Sequence, residues 1–476
     1  MSNQLPYFVT GLTRNHRERW RSEMRVIVII LISMSGLNFV CGQVDADETW
    51  LAGFAKTVIT PPSPMWMSGY ASRNKPAEGK IHDLCAKALV LRDPDGHNVL
   101  LVTLDLVGLD RVTSQAICER LAQNHGLQRS EITLATSHTH SGPVVGRNLI
   151  SMYALDDENL MRISEYTKFL SDSIVRIAQE AFANLAPAVV QYGSGQATFA
   201  VNRRNNREPD VPLLREAGHL VGPVDHDVPL LIVRSPEGQL RIVLFGYACH
   251  ATVLSGMDWC GDWPGFAQLE IEHRHPDASA MFMAGCGADQ NPLPRKTVEF
   301  AAEYGKQIAD SVDRALAGTW TPVKGSLKTA YREIELAFDE LPSKEKLEAD
   351  LKSDNVYLSR RAAHLLETLA REEKLSPAYP YPVQMWRLGD LQITALGGEV
   401  VVDYALRLKS ELTGTTNWIG GYCNDVMAYI PSARVLKEGG YEGESAMIYY
   451  GLPTKWSADV EEHIVRTVKE LAEEVR

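Results

Sequence analysis

The chain has 476 residues, a formal net charge of −12, and 45% hydrophobic residues. That length fits one large domain or two ordinary ones, and the apolar share can fill a large core, which argues against a disordered chain. An acidic balance with no Lys/Arg block beyond the N-terminus argues against nucleic acid as a partner.

Residues 1–46 read as a signal peptide or N-terminal anchor. Arg14, Arg17, Arg19, Arg21 and Arg25 precede an apolar run at 26–32, and polar residues 45–48 follow. Met24 as a start would give a more usual signal length. The expected location is exported: periplasmic, secreted, or held to the membrane through the N-terminus. Residues 47–476 read as one catalytic domain. Its six cysteines, Cys85, Cys118, Cys249, Cys260, Cys286 and Cys423, are too sparse for a stapled scaffold, so buried thiols are expected. Cys249 with Cys260 is the pair to test first for a disulfide.

In chain order, strands are expected at 57–60, 86–91 and 99–104, with residues 67–73 as a surface loop. The strand at 99–104 ends in Asp105. A helix at 112–124 closes at Gly126, and strand 132–135 leads into Thr136-Ser137-His138-Thr139-His140-Ser141-Gly142-Pro143. A long amphipathic helix follows at 157–185, then a strand at 188–192 and a polar, basic loop at 202–207. Strands at 230–233 and 240–247 lead to Cys249-His250. A helix at 262–272, a strand at 280–284 and a helix at 297–316 come next. Residues 343–374 read as a charged, mostly helical outer segment. A strand at 391–395 reaches Gly397-Gly398-Glu399, a helix spans 401–412, a strand 418–420, and a helix closes the chain at 458–475. Strands alternating with helices predict an α/β; layered α/β/α domain with a mixed sheet.

Apolar strands thus end, in order, at Asp105, His138/His140, His250, Asp289 and Glu399. Open α/β sheets bind ligands outside the carboxyl ends of their strands. Residues two apart on a strand face one side, so His138 and His140 are expected to point together. Two or three His with a carboxylate on one rim suit Zn²⁺ with a position left for water, and such a water attacks amide or ester carbonyls. Each residue also has a plainer reading. His250 could sit satisfied in the core, Glu399 could cap the next helix, Asp289 and Asn291 could form an Asx-type turn, and Tyr429 and Tyr441 could pack. HExxH, GxSxG, GxxxxGK[ST] and GxGxxG are all missing, which argues against metalloprotease, α/β-hydrolase and nucleotide-binding readings.

His138 through Pro143 resembles the HTHSGP signature of the neutral, non-lysosomal ceramidases. The resemblance runs through most of the chain after residue 46, with only short motifs close. It implies a zinc-dependent amidase acting on an N-acyl sphingoid base. By motif it implies His138, His250, Glu399 (in Gly-Gly-Glu) and Tyr429 (in Tyr429-Ile430) as zinc ligands. It implies His140, Arg203 and Tyr441 at the substrate's polar head or the oxyanion. Where the family has GD-x-S-P-N, this chain has Ala288-Asp289-Gln290-Asn291-Pro292-Leu293, so Asn291 takes the place of the serine. Asparagine cannot carry an acyl group, but it can donate to an oxyanion. No room is expected for the family's C-terminal immunoglobulin-like domain.

The expected function is therefore an exported, zinc-dependent hydrolase of an amide or ester bond. Asp289 or His140 would move protons, with a small-molecule or lipid N-acyl substrate and peripheral membrane contact. One alternative is a zinc-containing lipid- or glycan-binding protein without turnover. Another is a hydrolase of a soluble N-acyl substrate, which a polar, aromatic-lined entrance would favour.

Overall fold

The computed structural model describes residues 49–372 and 374–476; the leader expected over residues 1–46 lies outside them. Eight strands form the path of the larger sheet: β1 (Trp50–Val58), β2 (Cys85–Arg92), β3 (Asn98–Leu104), β4 (Ile132–Thr136), β5 (Ala186–Gln196), β6 (Asp227–Arg234), β7 (Leu240–Tyr247) and β8 (Ser279–Ala284). Their order across the sheet is β8-β7-β6-β5-β1-β2-β3-β4. The inner pairs are antiparallel. The outermost two, β3–β4 and β7–β8, are parallel.

A parallel neighbour needs a crossover, and helices supply it. Of the helices α1 (Arg111–His125), α2 (Asp157–Ala183), α3 (Asp262–Arg274) and α4 (Val298–Leu316), α1 joins β3 to β4 and α3 joins β7 to β8. The Asp110 carboxylate caps the first turn of α1 by accepting from Thr113 N–H, and Gly126 ends the helix in the left-handed region at φ 66°. Ile163, Tyr166, Leu170, Ile174, Ile177 and Ala181 form the buried stripe of α2, at the three- and four-residue spacing of one helical face.

A second sheet contains β9 (Leu327–Ala337), β10 (Ala378–Leu388), β11 (Leu391–Leu396) and β12 (Thr416–Gly420), in that order. Helix α5 (Val356–Glu372) precedes β10, α6 (Val402–Glu411) carries the chain from β11 to its parallel neighbour β12, and α7 (Val460–Glu474) closes it. Alternation along each strand separates the cores. Leu89, Leu101, Leu231, Leu244 and Met283 of the large sheet meet Trp386, Leu388, Ile393 and Trp418 of the small one. The other face of β2 to β4 packs on α1 and α2, and the other face of β6 to β8 packs on α3 and α4. The small sheet's far face packs on α6 and α7.

The mixed α/β fold is the one expected, with a β layer two sheets deep. The second sheet was not anticipated because β9 and β10 were not recognised as strands. The expected outer segment resolves into a short helix, Lys344–Asp350, and α5. All six cysteines among the described residues are free. That agrees with the thiols expected, Cys249 and Cys260 among them, and Cys260 Sγ faces His82 Nε2 at 3.1 Å. No helix among the described residues is long and apolar enough to cross a membrane.

Candidate functional site

Three strand-to-helix crossovers open toward one point. β4 leads to His138 and His140, β7 to His250, and β11 to Glu399. Isolated bridges Ala135↔Cys423 and Gly285↔Gly420 tie the exit of β12 to the ends of β4 and β8, which holds the three openings together. Glu399 and Tyr429 are direct partners in a short parallel pair, Glu399–Val400 with Tyr429–Ile430, which explains how residues far apart in sequence become neighbours. Gly398 makes the approach possible. Its φ is 74°, and a Cβ there would lie 2.6 Å from Ile430 Cγ1 and 2.8 Å from the Ala428 carbonyl oxygen.

The histidines converge by a different route from the one expected. β4 ends at Thr136 and His138 has φ 58°, so the strand's two-residue alternation does not extend to them. The left-handed turn folds the loop back, leaving the two Nε2 atoms 3.1 Å apart. The 67–73 loop is a wall of the site rather than a surface loop: Met67, Ser68 and Arg73 are buried. Gly69 lies against the His140 ring, and the Tyr70 ring meets it edge-on at 4.8 Å between centroids.

Second contacts orient each imidazole. His138 Nδ1 lies 2.6 Å from the Val107 carbonyl oxygen, and His250 Nδ1 lies 2.9 Å from that of Gly287. A carbonyl only accepts, so in both rings Nδ1 carries the proton and Nε2 presents a bare lone pair. Both Nε2 atoms face one oxygen of Glu399, Oε2, at 3.0 Å from His138 and 3.2 Å from His250. The other oxygen, Oε1, accepts from the Tyr450 hydroxyl. Ligand atoms of His138, His140 and His250 lie within 4.8 Å of one another, and the Tyr429 hydroxyl lies 3.4 Å from His250 Nε2.

Electrostatics make this an electron-rich, water-poor pocket. Burial, reinforced by Arg203, pushes His250 down to about 4. Burial, with His138 and His250 beside it, pushes His140 well below the ordinary imidazole range. Burial penalises the Glu399 charge, yet the facing His138 and His250 override it and hold the carboxyl well below the usual range. Burial first, then Glu399, pushes the Tyr429 phenol well up. Three histidine rings thus surround a carboxylate whose Oε2 is buried without a hydrogen-bond partner. Such a set suits a cation of zinc's size and ligand preference.

The remaining expected residues form the outer wall. Val201 and Asn202 pair antiparallel with Asn291 and Gln290, which brings Arg203 to Asn291. Arg203 donates to Asn291 Oδ1 at 3.2 Å, to the Tyr429 hydroxyl at 3.1 Å and to Glu442 at 2.7 Å. With Oδ1 taken, the Asn291 amide N–H₂ is left to donate. The Arg203 guanidinium stands 5.7 Å from the Tyr441 ring centroid. Asp289 takes a different place from the one expected of a proton carrier. Oδ1 accepts from the Val402 N–H at 2.9 Å and Oδ2 from the Asn202 amide at 3.0 Å. Asp289 therefore caps α6, the job that Glu399 had in the plainer reading, and its carbonyl accepts the Arg203 N–H at 2.8 Å. Asp105 also stands apart from the cluster, accepting from the Cys85 N–H at 2.8 Å. Tyr450 and Glu442 were not foreseen. A tyrosine at the end of a short helix has no spacing signal, and Glu442 beside Tyr441 carries none of its own.

The sequence profile described as "Neutral/alkaline non-lysosomal ceramidase, N-terminal" matches residues 50–314. A neutral ceramidase of Pseudomonas aeruginosa is 23% identical over 84% of this chain and 69% of that protein. One from Oryza sativa is 28% identical over 40% of this chain and 24% of its own length. The crystal structure of neutral ceramidase from Pseudomonas aeruginosa superposes with a TM-score of 0.69 at 19% identity, covering 89% of this chain and 74% of that one.

Proposed function

We propose that this chain, which belongs to the neutral/alkaline non-lysosomal ceramidase family, is a zinc-dependent hydrolase of N-acyl amides. One observation carries the reading: His138 and His250 each tie Nδ1 to a carbonyl and turn a bare Nε2 onto the same Glu399 oxygen. His138, His250, Glu399 and Tyr429 would hold the ion. When bound, zinc supplies Lewis acidity and a water that ionises near neutral pH.

The chain's own residues supply the rest. His140 stays neutral at physiological pH, so its Nε2 can accept a proton and return it to the leaving amine. Asn291 N–H₂, set by Arg203, donates to the developing oxyanion. Arg203 and Tyr441 bind the polar part of the substrate, and Tyr450 holds the Glu399 carboxylate in place. Asp289 positions Arg203 rather than moving protons. The reading has no acyl-enzyme at position 291, and it includes export, supported by the basic-then-apolar order of the first residues.

Ceramide is the substrate class in the relatives' names. A second reading, a more polar N-acyl substrate, is favoured by the mouth beside Asn291. That cavity, about 550 Å³, is lined by Arg203, Arg204, Arg207, Glu438, Tyr441 and Glu442 among others. The test is elemental analysis of the purified chain beside His138→Ala, followed by hydrolysis assays on ceramide and on short, polar N-acyl amines. About one zinc per chain, lost in the variant, supports the site. A folded chain without tight metal overturns it and leaves the histidines a structural role.

A further inference from the structure

A second cavity, about 280 Å³, lies among the start of α1, residues 147–150 and residues 425–427, with Tyr379 and Tyr450 in its wall. Two of its lining side chains are almost fully buried: Asp425 is 3% exposed and Asn148 4%. Asp425 Oδ2 accepts from the Tyr379 hydroxyl at 2.7 Å, while Oδ1 has no partner. Asn148 Nδ2 donates to the Val426 carbonyl at 2.8 Å, which fixes the amide and leaves its Oδ1 without a partner as well. Leaving one buried acceptor unmet is costly, and here two belong to residues that line one cavity.

The open atoms are both oxygens, so with Asp425 ionised the occupant must be a donor. Neighbouring charges are already committed. Arg111 forks onto Glu333 at 2.6 and 2.7 Å. Asp110 accepts from Thr113 and from the Arg147 N–H. Arg147 is exposed at the rim, 3.5 Å from His364 Nδ1. Among the described residues, no ion pair reaches Asp425.

We propose that this cavity binds a protonated primary amine, whose ammonium donates to Asp425 Oδ1 and Asn148 Oδ1 between the Tyr379 and Tyr450 rings. An ammonium brings several donors and a positive charge, and tyrosine faces favour a desolvated cation. Water meets the hydrogen bonds but leaves the buried carboxylate charge unanswered. Burial pushes the Asp425 carboxyl up to about 7, a cost of ionisation that a bound cation reverses. The site stands whether or not the histidine cluster takes a metal.

The test is calorimetric titration of the full chain at pH 8 with 2-aminoethanol hydrochloride, beside the neutral analogue ethylene glycol. The amine is expected to bind saturably and the diol not at all. Asp425→Asn should weaken the amine by about tenfold or more, the scale of a hydrogen bond to a charged group. Arg147→Glu, at an exposed position, should strengthen it. No saturable binding in the wild type, or equal binding in Asp425→Asn, means that water alone fills the cavity and overturns the proposal. Circular dichroism checks the fold of Asp425→Asn. If that variant does not fold, an affinity unchanged in Arg147→Glu overturns the proposal instead.

Discussion

Asp425→Asn separates a buried charge from a buried shape. Burial raises the Asp425 carboxyl from 3.8 to about 7. A raised carboxyl pKa supports the fold fully below the unfolded value, and that support is lost as pH rises through the folded value. About three units at about 1.4 kcal/mol each amount to about 4 kcal/mol withdrawn by pH 8, and well under 1 kcal/mol at pH 4. The asparagine variant carries no such charge. It weakens the Tyr379 hydrogen bond at a pH-independent cost of about 1 kcal/mol. Denaturant unfolding at pH 4, 5.5, 7 and 8 should therefore show the variant slightly weaker at pH 4 and about 3 kcal/mol stronger at pH 8. Asp262 and Asp289, which burial also raises to about 6, titrate in both proteins and cancel in the difference. A stability difference that does not change between pH 4 and pH 8 refutes the reasoning.

His140→Ala should keep its zinc and lose about 10²–10⁴ in kcat, as for a general base; elemental analysis showing metal loss would make His140 a ligand instead. Tyr450→Phe frees Glu399 Oε1 and should weaken zinc by about 10–100-fold in a chelator competition, with folding intact. Asn291→Ala should lower kcat by about 10²–10³ with little change in KM; a pure KM effect assigns Asn291 to ground-state binding. Gly398→Ala forces a Cβ against Ala428 and Ile430 at positive φ, and should cost about 1–3 kcal/mol in unfolding measurements and reduce metal content.

Most helices were legible because their apolar stripes recur every three to four residues, as in α2 and α7. The second sheet was not, and β10 shows why. Pro380 and Pro382 argue against an interior strand. They lie two apart, so both N–H-less nitrogens face the same side, and β11 pairs only from Val383 onward. On that side the Pro382 carbonyl accepts from the Gly397 N–H, so the prolines sit where the ladder has already ended. Motif gave the identities of His138, His250, Glu399 and Tyr429, while their distances depend on contacts that no spacing encodes. The Val107 and Gly287 carbonyls, the left-handed turn at His138 and the Glu399–Tyr429 pairing are all tertiary. Asp289 illustrates the limit. A carboxylate at a strand end looks catalytic, yet an N-terminal helix turn competes for the same oxygens and here wins them.

Asn291 and the polar mouth are one feature, because Arg203 joins them. Its guanidinium spans Asn291, Tyr429 and Glu442, and Glu442 in turn accepts from Arg204 at the edge of the mouth. The amide oxygen at position 291 answers one guanidinium N–H and leaves an N–H₂ to donate. A serine hydroxyl has a single proton and would have to choose between acting as nucleophile and donating. The substitution therefore trades a nucleophile for a fixed donor while keeping Arg203 in register. Since Arg203 also faces Tyr441, a change at position 291 reaches both the proposed oxyanion contact and the entrance. Asn291→Ser should thus alter substrate preference as well as rate, measured as the ratio of kcat/KM for ceramide to that for a short polar N-acyl amine. A change in kcat alone, with that ratio constant, would show that the two are separate.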